Sequence, residues 1–269
     1  MKRSNQYSLP VGKSDLERMT MLGSIYNPFC YNFLLKSGLK PGLKVADIGC
    51  GPGNVTLWLS EQVGSTGKII GVDHSGEQLE LLNKIILEKE IHNVSTYKID
   101  IYNIDQIQES FDIIFCRFLF IHLSQPLVAI QKLHSLLKPG GCLIMAELDN
   151  STWFSYPEHD ALLKDTKLLC EVGEKKGMDF CIGPKLYGYL RKEVFADISV
   201  QIAQPILSGK DRQYVLLKSQ TWANVYLEHE LISKINIQNM LTHLAELVHN
   251  DDYLMAGAKM YLACGKKSI

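Results

Sequence analysis

Three glycines at alternate positions and one carboxylate make Val45-Ala-Asp-Ile-Gly-Cys-Gly-Pro-Gly-Asn54 the segment richest in chemistry. Gly49, Gly51 and Gly53 let a backbone bend sharply and let a ligand approach without meeting a Cβ. Asp47 stands at the mouth of that turn. A loop built for a pyrophosphate turns N–H groups and a helix N-terminus toward negative charge, and an acid beside it would repel such a ligand. A ligand carrying an ammonium and a sulfonium would be attracted instead. The segment therefore favours S-adenosylmethionine (SAM) over a nicotinamide dinucleotide. The dinucleotide fingerprint Gly-x-Gly-x-x-Gly also fails here, because Asn54 stands where its third glycine belongs.

Further acids fall at the ends of successive apolar runs. In an open α/β sheet, ligands bind outside the carboxyl ends of the strands, where strand order reverses. Asp73 follows the glycines by about 20 residues, a spacing at which an acid can accept hydrogen bonds from both ribose hydroxyls. Asp100, flanked by Ile99 and Ile101, can accept from an adenine amino group while an apolar neighbour covers the ring. The next run ends in Cys116-Arg117. Each acid alone is an ordinary strand-end residue; together they outline a nucleoside site.

The elements that must position these residues follow from periodicity. Residues 14–37 are predicted helical, with a break near Asn27-Pro28. Strands are expected over 43–48, 68–73, 94–99, 111–116 and 142–148, separated by helices over 54–63, 75–90 and 124–137. Ser75-Gly-Glu-Gln78 has the spacing of a capping box, and Lys138-Pro-Gly-Gly141 is a helix stop. Continuous apolar strands between amphipathic helices imply a mostly parallel, doubly wound sheet covered on both faces. Beyond Leu148 the rhythm changes. Helices are expected over 156–176, 186–195, 211–229 and 235–249, with strands over 198–204 and 256–264. The helices between those last two strands are too long for a hairpin loop and are read as a helical cap over the cleft.

These motifs together resemble the class I SAM-dependent methyltransferases. The resemblance runs from about Leu39 to Leu148 through Val-Ala-Asp-Ile-Gly-Cys-Gly-Pro-Gly, Gly71-Val-Asp-His-Ser75, Ile99-Asp-Ile101, Phe111-Asp-Ile-Ile-Phe-Cys-Arg-Phe-Leu-Phe-Ile-His-Leu123 and Leu136-Leu-Lys-Pro-Gly-Gly141. It is strongest to the small-molecule, quinone-biosynthesis-like branch. It implies an α/β fold with a seven-stranded sheet whose last strand is antiparallel. By position it implies that Asp47, Gly49 and Gly51 hold the methionine part of SAM and that Asp73 binds the ribose. His74 and Ile101 would cover the two adenine faces, with Asp100 on the amino group. Cys116, through its carbonyl, and Arg117 would border the amino-acid end and the reactive methyl. Signatures of other branches are missing. There is no Asn/Asp-Pro-Pro-aromatic run after the fourth strand, no Pro-Cys nucleophile and no paired glutamates there.

Displacement at a sulfonium needs alignment above all, and a base only if the acceptor carries a proton. His122, Tyr7, His159 and His229 are the candidates. His122 follows the fourth strand, where a helix-start or packing role competes with catalysis. Arg18 could reach the SAM carboxylate. Glu147 and Asp149 face either cleft or solvent. Trp153, Phe154, Tyr156, Phe180 and Tyr187 are candidates for an apolar acceptor pocket. A net charge of −1 over 269 residues gives no electrostatic footprint for nucleic acid. The basic cluster Lys175, Lys176, Lys185, Arg191 and Lys192 reads as a solvated face. The first thirteen residues lack a secretory apolar region, no run is long enough to span a bilayer, and the seven cysteines show no CxxC spacing. No metal site is indicated, and a cytoplasmic location is the simplest expectation.

The expected organisation is an N-terminal helical segment over the cleft (1–38), a SAM-binding core (39–150), and the end of the sheet with cap insertions (151–269). The expected activity is methyl transfer from SAM to a small, partly apolar molecule, leaving S-adenosylhomocysteine (SAH). A non-catalytic SAM-binding protein and a methyltransferase of RNA or protein are the alternatives.

Overall fold

The apolar runs assemble into a seven-stranded sheet in a computed structural model of the chain, which describes residues 16–269. The described chain begins with α1 (Leu16–Lys36), β1 (Lys44–Ile48), α2 (Asn54–Val63), β2 (Lys68–Asp73), α3 (Gly76–Glu88), β3 (Val94–Lys98), β4 (Phe111–Arg117), α4 (Pro126–Ser135) and β5 (Leu137–Asp149). It continues with β6 (Phe154–Tyr156), α5 (Asp160–Lys175), α6 (Leu186–Lys192), β7 (Ala196–Ala203), β8 (Ile206–Leu207), α7 (Gln213–Glu228), α8 (Lys234–His249), β9 (Leu254–Ala256) and β10 (Lys259–Lys266).

The main sheet has the order β3-β2-β1-β4-β5-β10-β7, and β10 runs antiparallel to both its neighbours. This is the doubly wound architecture the resemblance implies. The winding reverses between β1 and β4, which pair in parallel from Val45↔Ile113 to Ile48↔Cys116. A crevice must open beyond their carboxyl ends. Val45, Ala46, Ile113, Ile114 and Phe115 in this central pair are buried, as a sheet covered on both faces requires.

Local chemistry sets the helix starts. Gly53 caps α2 with φ 88° and ψ 17°, a left-handed conformation. Ser75 caps α3, its Oγ accepting from the Gln78 N–H at 3.4 Å. The Gln78 side chain does not return the bond, and its Oε1 is buried without a partner among the described residues.

Several boundaries differ from the sequence reading. α1 is continuous through Pro28. Leu22, Ile25 and Tyr26 before the proline and Cys30, Phe33 and Leu34 after it are all buried. At about 1.5–3 kcal/mol for each large side chain, their burial outweighs the roughly 3 kcal/mol a helical proline costs. Residues 138–141 stop α4 but lie within β5, as an excursion in its pairing with β4 between Phe111↔Leu137 and Ile113↔Cys142. A small second sheet, β6-β9-β8, takes residues expected in helix or loop, apart from Ala256 at the start of the last expected strand. Its strands are two or three residues long, too short to show a period. Cys170 and Cys181, far apart in sequence spacing terms, bring their sulfurs to 3.2 Å.

The cap is a bundle of α5, α7 and α8, and α1 packs against α7 from the other side of the crevice. Buried Arg212 binds the cap to itself by donating to the Leu247 and Asn250 carbonyls at the end of α8.

Gly53→Ala should test the loop-to-helix junction. An alanine there pays about 1–2 kcal/mol for the left-handed backbone, and its Cβ would lie 2.2 Å from Leu82 Cδ1 in a fully buried contact. Urea unfolding should show a loss of about 2–4 kcal/mol; unchanged stability would mean that the loop relaxes without cost.

Candidate functional site

A cavity of about 210 Å³ occupies the crevice at the ends of β1, β2 and β4. Arg18, Met19 and Leu22 of α1 form one side, and residues of α5 and α7 close the far end. The expected Gly49, Gly51, Asp73, His74, Asp100, Ile101 and Arg117 all line it.

The glycine loop is held from the neighbouring strand. Asp73 Oδ2 accepts from the Gly51 N–H at 2.9 Å, and Oδ1 accepts from the Ser75 N–H at 2.8 Å. Gly49 and Gly51 have φ of 74° and 53°, and a Cβ on Gly49 would lie 3.2 Å from Leu119 Cδ1. His74 Nδ1 lies 3.3 Å from Asp73 Oδ1, and that hydrogen bond raises the imidazole's pKa against its partial burial. Asp100 is exposed and caps the next turn by accepting from the Tyr102 N–H at 2.8 Å. Ile99 and Ile101 flank it on the cavity wall.

Of the expected cofactor residues, Asp47 and Cys116 are the two that do not line the cavity. Asp47 lies beneath the loop, where its Oδ2 accepts from Thr56 Oγ1 of α2 at 2.6 Å. Burial lifts its pKa to about 6, opposed by the Thr56 hydroxyl and Arg117. β4 runs one residue further than expected, so the Cys116 side chain is buried inside the sheet and Arg117 and Phe118 reach the border. Phe118 has φ 53°, an uncommon conformation for a bulky residue and of the kind found at binding sites. The Arg117 guanidinium lies 5.0 Å from the Phe118 ring, and its Nη1 is buried with no partner among the described residues.

Glu147 resolves the choice between cleft and solvent toward neither. It is fully buried, and its Oε1 accepts from the Leu119 and Phe120 N–H groups at 2.9 and 2.8 Å. Burial raises its pKa to about 8, against the pull of those N–H groups and Ile121. It fixes the turn Phe120–His122 that carries His122 to the cavity wall. His122 is pushed down to about 4 by burial, then by Arg18 and His74, and so is neutral at pH 7. Asp149 caps the turn after β5 by accepting from Ser151.

The far end is aromatic. Of the five aromatics expected there, Phe180 alone lines the cavity, alongside Leu169 and Met178. Trp153 is buried behind the wall, and Phe154, Tyr156 and Tyr187 are exposed. The wall is built instead by Tyr214, Lys218 and Trp222 of α7, four residues apart and therefore on one helix face. That spacing is visible in the sequence; a lysine inside an aromatic stripe was the signal to read. Lys218 is buried and its Nζ donates to Asp165 Oδ2 at 2.6 Å. His159 and His229 do not line the cavity, and Tyr7 lies outside the described residues. In the basic cluster, Lys185 pairs with Asp179 and Lys175 donates to the His229 carbonyl. No helix among the described residues is long and apolar enough to cross a membrane.

The cavity thus joins a glycine cradle to acids at the next two strand ends, with α5 and α7 closing its far end. The chain belongs to the methyltransferase domain family, whose profile matches residues 39–216. It is 32% identical over 144 residues to an uncharacterized methyltransferase of Schizosaccharomyces pombe, covering 50% of this chain and 51% of that one. It is 33% identical over 115 residues to a demethylmenaquinone methyltransferase of Staphylococcus aureus, covering 43% and 47%. The chain thus spans about half the length of these relatives. The fold is similar to that of the YcgJ protein of Bacillus subtilis, with TM-score 0.61, 18% identity and coverage of 88% of this chain and 97% of that chain. It is also similar to a phosphoethanolamine N-methyltransferase 2 of Haemonchus contortus, with TM-score 0.54, 14% identity and coverage of 94% and 52%.

Glu147 holds its proton more tightly folded than unfolded. Its contribution to stability is full below the ordinary carboxylate value of 4.5 and fades as the pH climbs to about 8. Glu147→Gln should remove that decline. Between about pH 5 and about pH 8, urea unfolding should show wild type losing on the order of 1 kcal/mol per pH unit relative to the variant. Parallel pH profiles would contradict a buried, protonated Glu147.

Proposed function

We propose that the chain transfers the methyl group of SAM to a small, partly apolar acceptor bound at the cap end of the cavity, with SAH as product. The observation that carries this reading is the match between the cavity's polar groups and the parts of SAM. Asp73, on the wall and bonded to the glycine loop, would take the ribose hydroxyls. Asp100 would take the adenine amino group, with Ile101 and His74 against the ring. Gly49 and Gly51 would admit the methionine part. Arg117 Nη1, a buried donor with no partner among the described residues, suits its carboxylate, and Arg18 borders the same cavity. Asp47 would act from behind the loop as a negative charge favouring the ammonium. Cys116 is left to packing.

When bound, SAM supplies a methyl on a sulfonium, already activated for in-line displacement. The protein's part is then alignment and exclusion of water. α1 covers the crevice from residues 16–38, the segment 39–150 presents the strand ends, and the cap in 151–269 holds the acceptor. His122, neutral at pH 7 and on the wall, would accept a hydrogen bond from the acceptor, while a pKa pushed down to about 4 makes it too weak a base to carry a proton away. The demethylmenaquinone methyltransferase among the relatives supports a small acceptor.

Asp73→Ala should lower SAH affinity by about 100-fold or more, the value of two hydrogen bonds to a charged group, as read by calorimetry on folded variant. Unchanged affinity would remove the ribose assignment. Incubation with methyl-labelled SAM and a small-molecule extract should move label into the low-mass fraction. Label in protein or RNA would contradict the acceptor class.

A further inference from the structure

An ammonium buried among aromatic rings demands a reason. Lys218 is 3% exposed, its Asp165 partner is fully buried, and the buried Tyr226 hydroxyl donates to the other Asp165 oxygen at 3.3 Å. Ion pairs of this kind do little for stability, because apolar side chains of similar volume generally serve as well. This pair also reaches the cavity wall, between Tyr214 and Trp222 on the same face of α7 and opposite Phe180.

The ammonium has three N–H donors. Asp165 Oδ2 takes one, and the Trp153 ring lies 4.6 Å from Nζ. Of the other polar groups at this end, the Asn150 side chain is already engaged, donating to the Phe180 carbonyl and accepting from Trp153 Nε1, while the Tyr214 hydroxyl and the Trp222 indole N–H share the wall with Lys218. Lys218 therefore brings the one ammonium among the described lining residues to a largely aromatic surface. Asp165 cancels its charge, so a carboxylate or phosphate gains no net attraction, whereas a neutral oxygen gains a hydrogen bond.

We propose that Lys218 is the specificity-determining residue of the acceptor end, donating a hydrogen bond to a hydroxyl or carbonyl oxygen carried on a planar, apolar ring. This rests on the methyltransferase reading, in which the cap end holds the acceptor.

The test is calorimetric titration of the full chain, saturated with SAH, by 2-naphthol, naphthalene and 2-naphthoate. Naphthalene is the most apolar of these, so a purely apolar pocket would bind it at least as tightly as 2-naphthol. The expected result is 2-naphthol binding about 10-fold or more tightly than naphthalene and more tightly than 2-naphthoate. Lys218→Met should erase the preference. Because that variant strands Asp165, the double variant Asp165→Asn with Lys218→Met keeps the test open if the single one does not fold. Absent 2-naphthol binding, equal binding of naphthol and naphthalene, tighter naphthoate, or a preference surviving in the double variant would overturn the assignment to Lys218. With SAH bound, those results leave the cofactor reading standing; absence of SAH binding would remove both.

Discussion

The carboxylate of Asp73 holds two strand ends in one arrangement. One oxygen takes the Gly51 N–H of the loop after β1, and the other takes the Ser75 N–H that begins α3. A glycine loop has few side-chain contacts of its own, so its shape must be imposed from outside. Here the neighbouring strand imposes it. The Val72 carbonyl beside Asp73 accepts from the Gly49 and Cys50 N–H groups, so the end of β2 shapes the loop, and Asp73 joins that loop to the start of α3 and to His74. Its near-burial strengthens each bond, because water competes poorly there.

Other buried acids place the remaining walls. Asp47 ties the loop to α2 through Thr56, and Glu147 gathers the N–H groups of the turn that carries His122. Asp165 holds Lys218 and Tyr226 inside the cap. Each acid is costly to bury alone and is accepted because donors converge on it. The strand-end side of the crevice is therefore framed by acids, Asp73 and Glu147, that bond to backbone. At its far end, side chains of α5 and α7 set the shape.

The strand-end wall of the cavity was legible in the sequence because strand ends are visible as apolar runs terminated by Asp. Asp73, Asp100 and the glycines needed only that rule. The Asp47 side chain turns under the loop because its partner, Thr56, lies on α2, a pairing that no strand-end rule shows. Cys116 lies inside β4 because that strand is one residue longer than its apolar run suggests. Pro28 suggested a break that α1 does not have, since local propensity carries no information about the core that overrides it. Lys218 was spaced at Tyr214-x3-Lys218-x3-Trp222, yet its partner Asp165 lies on another helix, and only the tertiary fold joins them. The small sheet β6-β9-β8 left no pattern because its strands are shorter than one alternation can show.

The crevice between β1 and β4 is where SAM is proposed to bind. Calorimetric titration of the wild-type chain with SAH and, separately, with NADH tests it most directly. The account predicts saturable heat with SAH and none with NADH; heat with NADH and none with SAH would contradict it.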